Sequence, residues 1–146
     1  MKNNKGFTII ELIIALVIIT VILLVVVPVG QKATDNGRIA NAMASMKAIQ
    51  TAAVAWANDN GGQYTGLTFA NLTQGYLPAQ FTPTSTNPWQ GNYSVNVNAN
   101  DSTMFDISLT NVPAPSAAKL TTAMTKLTET LPSYTASSQT WTTTLH

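Results

Sequence analysis

The sequence predicts an α+β fold in which a long N-terminal helix packs on a small antiparallel sheet. An apolar run from Leu12 to Gly30, about 19 residues, opens the chain and is close to the roughly 20 that a spanning helix needs. A helical period continues to Asn58 with its apolar positions on one face. Beyond Gly62, short alternating runs between turn residues read as strands.

The apolar run is flanked by Lys2 and Lys5 before it and by Lys32 after it, and one carboxylate, Glu11, lies near its start. Three readings compete. A secretory signal peptide has a shorter apolar core, no carboxylate and a small-residue cleavage site, and this stretch lacks an Ala-x-Ala. A plain membrane anchor puts Lys2 and Lys5 in the cytoplasm by the positive-inside rule. It gives Glu11 no task, although a carboxylate in a membrane helix is costly and marks function by default. Near the helix end, Glu11 could snorkel in part. The third reading is chemical. Cleavage between Gly6 and Phe7 removes both lysines and creates an ammonium at Phe7, about one helical turn before Glu11. That cation adds to the positive end of the helix dipole. A buried carboxylate is tolerated when it is paired and hydrogen-bonded. With helices of several copies side by side, Glu11 of one could neutralise the Phe7 amine of the next and fix axial register.

The string Gly6-Phe7-Thr8-Ile9-Ile10-Glu11, followed by an apolar helix, resembles the class III signal of type IV pilins. The resemblance implies that a prepilin peptidase cuts after Gly6, that Phe7 is N-methylated, and that Glu11 supports subunit docking. Pro28 is similar to a proline common at this point of the family's helix and takes an assembly role by the same likeness. Three regions follow: a leader, residues 1–6; a transmembrane and assembly helix, 7–30; and a globular domain, 31–146, helical to about residue 60. The resemblance further implies the pilin ladle fold and a homopolymer of subunits, raised by pilus assembly machinery. The precursor belongs in the bacterial inner membrane and the assembled form in a cell-surface pilus. It implies no cofactor and no enzymatic activity. Type II secretion pseudopilins and minor pilins use the same signal and are the alternative.

Pro28 removes one helix hydrogen bond and crowds the preceding turn. Gly30 and Gly37 each cost about 1 kcal/mol relative to Ala in a helix. Val21, Ile22, Val25, Val26, Val27 and Val29 make the stretch rich in β-branched side chains. A bend or partial unwinding is expected here in a packed filament. From Gln31 to Asn58, Ile39, Met43, Met46, Ile49, Ala53 and Trp56 fall on one face and read as domain core. Asn60-Gly61-Gly62 stops the helix. Straight, such a helix of about 53 residues would span roughly 80 Å. Its first half could be buried only in lipid or among other copies.

Thr68 to Tyr76 predicts one short helix, and Gln80 to Gly91, with Pro83 and Pro88, a loop. Tyr93, Val95 and Val97 alternate with polar residues, as do Phe105, Ile107 and Leu109, and the two runs read as an antiparallel hairpin. Ala117 to Leu131 predicts a helix with Ser116 as N-cap. Thr140 to Leu145 reads as a closing strand with Trp141, Thr143 and Leu145 inward. The segments Asn87 to Val95 and Ile107 to Leu120 resemble the type IVb or conjugative branch of the pilins. There a cysteine often opens the helix that here has Ala117-Ala118. The short leader and Phe7 resemble the type IVa branch. Major pseudopilins share a similar Pro-Trp-x-Gly element but typically carry an acidic calcium loop near the C-terminus. No acidic residue follows Glu129 here.

Composition sets the remaining bounds. Charged residues make up 9% of the chain, against roughly 25% in an average soluble protein, and the net charge is +1. A strongly basic nucleic-acid surface is excluded. With no cysteine, disulfides and thiol chemistry are excluded too. The one histidine, His146, is terminal, and a zinc site needs several ligands. Asp101 and Asp106 are too isolated for a calcium loop. No phosphate-binding motif or nucleophile–base pair is present. Ser and Thr give a neutral hydroxylated surface. Adhesion through exposed Tyr, Trp and Thr is compatible with it but is assigned to no residue.

Overall fold

The computed structural model describes residues 9–125 and 132–146 and, among these, all side chains but those of 21–32. The chain divides into two compact units, residues 1–36 and 37–146. One helix, α1 (Ile9–Asp59), contributes to both.

In the first unit α1 begins at Ile9, and its backbone stays helical through Pro28. The interruption expected there in a packed filament is thus absent from the single chain. Proline forfeits one backbone hydrogen bond, and the helical turns on either side remain. The hydroxyl of Thr20 donates to the Leu16 carbonyl at 2.8 Å, so this polar group is satisfied within the helix. Among the described residues no helix is long and apolar enough to cross a membrane. The described apolar stretch, Ile9 to Thr20, is about 12 residues against the roughly 20 needed. The sequence continues apolar through residues 21–30, whose side chains lie outside the described residues.

In the second unit α1 is amphipathic. Ile39, Ala42, Met46, Ile49, Ala53 and Ala57 are buried at spacings of three and four. Met43 and Trp56, expected on this face, are half-buried at its edge. Alanines at 42, 52 and 57 hold its centre instead. Their low hydropathy contrast hides them from a pattern search. The helix ends where Gly62 N–H donates to the Ala57 carbonyl at 2.8 Å, across Gly61 in the left-handed region (φ 75°).

Against this face lies a four-stranded antiparallel sheet: β1 (Tyr93–Val97), β2 (Phe105–Leu109), β3 (Ser133–Thr135) and β4 (Thr140–Leu145), in the order β1-β2-β4-β3. Alternation sends Tyr93, Val95, Phe105, Ile107, Leu109, Trp141 and Leu145 into one core with the α1 stripe. The Tyr93 hydroxyl hydrogen-bonds Ser45 of α1, and burial raises its pKa above the ordinary phenol value, partly offset by that bond. On the other face, hydroxyls pair with one another. Ser108 Oγ lies 2.9 Å from Thr142 Oγ1, and Asp106 Oδ1 accepts from Thr144 Oγ1 and Asn98 Nδ2.

The short helix expected after Thr68 is α2 (Phe69–Thr73). Thr68 Oγ1 caps it by accepting from Asn71 N–H. The helix expected from Ala117 starts earlier, as α3 (Ala114–Met124). Proline is harmless in a first helical turn, where its missing N–H has no acceptor anyway. Pro113 is therefore the N-cap, and Ser116 sits inside the first turn, buried. The expected continuation to Leu131 falls on residues 126–131, outside the described residues. Strand β3 was not expected, since three residues are too few to show alternation. It is fixed by pairing with β4 and by Tyr134 Oη donating to the Val112 carbonyl at 3.0 Å. Trp141 ties β4 to α3 through Nε1–H donating to Thr121 Oγ1 at 3.1 Å.

The loop before β1 is clasped by one side chain. Asn87 Oδ1 accepts from the backbone N–H groups of Trp89 and Gly91, and its Nδ2 donates to the Thr110 carbonyl at 2.8 Å. Gly91 is pressed against the end of β2. A Cβ there would lie 2.0 Å from the Thr110 carbonyl oxygen. Gly91→Ala is therefore expected to destabilise the chain by about 2 kcal/mol or more, read as a lowered urea midpoint. An unchanged midpoint would contradict the clasp. Thr143 has the opposite expectation. Its side chain is buried on the core face, and its hydroxyl has no hydrogen-bond partner among the described residues. Thr143→Val should raise stability by about 1 kcal/mol in the same measurement.

Candidate functional site

The four residues singled out by sequence are distributed unevenly. Gly6 and Phe7 lie outside the described residues. Glu11 lies in the first turn of α1. Pro28 lies within the helix, and its side chain is outside the described residues.

The surroundings of Glu11 are defined. Ile9, Ile10, Leu12, Ile13, Ile14, Leu16, Val17, Ile18 and Ile19 are all more than half exposed, and they point in every direction around the axis. A soluble domain's surface helix has one apolar stripe. This one has none, because it is apolar all round, with Glu11 as the single charge between Ile9 and Thr20. Such a surface requires an apolar medium, either lipid or other helices. The first four N–H groups of a helix lack intrahelical acceptors, so a carboxylate in the first turn sits where the dipole favours negative charge. A cation arriving at this end meets an anion already in place.

The second unit offers no comparable chemistry. Among the described residues no group of three His, Cys, Asp or Glu could hold a metal ion. Asp101 accepts from Thr103 N–H and Oγ1, which holds its carboxyl below the usual range and closes a turn. Asp59 accepts from Tyr76 Oη at 2.9 Å, and that bond raises the tyrosine pKa. Two cavities open on this unit. The larger, about 390 Å³, is lined by Met43, Met46, Met124 and Leu145 with Lys47 and Gln50. It belongs to the methionine stripe expected to be core: Met46 is buried there and Met43 only half-buried. The smaller surrounds Trp89 and was not legible beforehand, because its walls come from three separate stretches of sequence.

No curated protein matches the chain. Residues 1–27 match the family model of the prokaryotic N-terminal methylation motif, the class III signal of type IV pilins, a match that takes in Gly6, Phe7 and Glu11 and stops one residue short of Pro28.

Proposed function

We propose that this chain is the structural subunit of a type IV pilus-like extracellular filament, with the pilin ladle as its fold. The observation that carries the reading is the coincidence of the methylation motif at residues 1–27 with a helix apolar all round from Ile9 to Ile19 and charged only at Glu11. The precursor sits in the bacterial cytoplasmic membrane with Lys2 and Lys5 inside. Prepilin peptidase cuts after Gly6, and the new Phe7 amine is methylated. The assembly machinery then moves the helix from lipid into a bundle of identical helices. One apolar environment replaces another, so extraction exposes little apolar surface to water.

Glu11 sets register in this scheme by accepting the Phe7 ammonium of a neighbouring subunit. Methylation keeps that nitrogen charged and able to donate. Pro28 supplies a point where one backbone bond is already missing, so the packed helix can open locally at low cost. The work of the chain is assembly, not catalysis.

Glu11→Ala is expected to leave membrane insertion intact and to abolish filaments, scored by electron microscopy of cells at native expression and by membrane fractionation. Normal piliation of this variant would sink the pairing scheme. Long surface fibres from the wild type support a pilus subunit. Their absence, with the chain retained at the membrane, would favour a secretion pseudopilin.

A further inference from the structure

The smaller cavity of the second unit has features that neither the filament reading nor the core requires. It measures about 300 Å³ and is lined by Arg38 of α1, by Pro88, Trp89 and Gln90 of the clasped loop, and by Asn111 and Pro113 after β2. Three non-glycine residues among those described have left-handed backbones, and two of them, Gln90 (φ 63°) and Asn111 (φ 59°), line this one cavity. Strain of this kind collects where a chain presents groups to a ligand. Trp89 is buried, and its Nε1–H has no acceptor among the described residues. A buried donor left unmade is costly. An oxygen-rich occupant would supply that acceptor.

The charge at this wall is one-sided. Arg38 is exposed, and no carboxylate lines the cavity. Asp59, Asp101 and Asp106 are held elsewhere by Tyr76, Thr103, and Asn98 with Thr144. A guanidinium accepts a carboxylate in bidentate fashion. The side-chain amides of Gln90 and Asn111 each offer a donor and an acceptor, the combination that vicinal hydroxyls need. Pro88, Pro113 and the indole give an apolar wall for the C–H face of a ring. The volume is at the small end for ligand sites and suits a single ring.

We propose that this cavity binds an acidic monosaccharide unit of the uronate class, its carboxylate on Arg38 and its hydroxyls on Gln90 and Asn111. The site lies wholly within residues 37–146 and does not depend on the filament reading.

The test uses the full chain in a zwitterionic detergent, which carries no sugar headgroup to compete. D-glucuronate, D-glucose and acetate are titrated separately and followed by ligand-observed NMR. Glucuronate should bind saturably in the millimolar range. Glucose, which lacks the charge, and acetate, which lacks the ring, should each bind at least about tenfold more weakly. Arg38→Gln should weaken glucuronate binding by a similar factor with an unchanged circular dichroism melt, and Arg38→Lys should retain part of it. Gln90→Gly removes the amide while suiting the left-handed backbone, so it should weaken binding without loss of stability. No saturable binding of glucuronate, equal binding of glucose or acetate, or full binding by both Arg38→Gln and Gln90→Gly would overturn the proposal.

Discussion

An apolar helical surface that its own unit leaves uncovered is the constraint from which the rest follows. Between Ile9 and Ile19 no face of α1 is polar, and every large side chain is more than half exposed. At roughly 25 cal/mol per Å² of apolar surface, leaving nine such side chains in water is prohibitive for a marginally stable chain. The helix must therefore live in lipid or among other helices. The one carboxylate in it then becomes the costliest group in the segment and the one most in need of a defined partner. A processing step that creates a cation one turn away meets that need with a charge the precursor does not have.

The second unit solves a different problem, that of stability without disulfides. Its core is one cluster shared by the α1 stripe and the inner face of the sheet. The polar ties are few and placed where chain segments must be held: Asn87 on the loop before β1, Trp141 to Thr121 between β4 and α3, Tyr134 to Val112 beside β3. The outer sheet face uses hydroxyls that satisfy one another. It can stay neutral and soluble with a charged content of only 9%. Gly91 shows how close the packing is, since no side chain fits between its backbone and Thr110.

Much of this was legible in the sequence because it rests on local periodicity. Tyr93, Val95, Phe105, Ile107, Leu109, Trp141 and Leu145 alternate, and each lies on the core face; the same rule placed Thr143 inward, although its hydroxyl finds no partner there. Asn60-Gly61-Gly62 and Thr68 mark helix ends by backbone chemistry that composition reveals. Three features were hidden for identifiable reasons. Ala42 and Ala57 bury fully but have little hydropathy contrast with their neighbours. Strand β3 is specified by its partner strand and not by its own three residues. The start of α3 at Ala114 was masked by Pro113 and Pro115, which read as loop although a first turn tolerates proline. The Trp89 cavity was beyond reach because Arg38, Gln90 and Asn111 meet only once the fold is formed. For Gly6, Phe7 and Glu11 the motif was legible in full, as the match at residues 1–27 agrees, while their roles rest on chemistry yet to be measured.

The most direct measurement is the intact mass of the chain in filaments sheared from the cell surface. The account requires the mass of residues 7–146 with one added methyl group on the Phe7 nitrogen. A surface filament containing the uncleaved chain, still carrying Met1 to Gly6, would contradict it, because Glu11 would then have no new cation to meet.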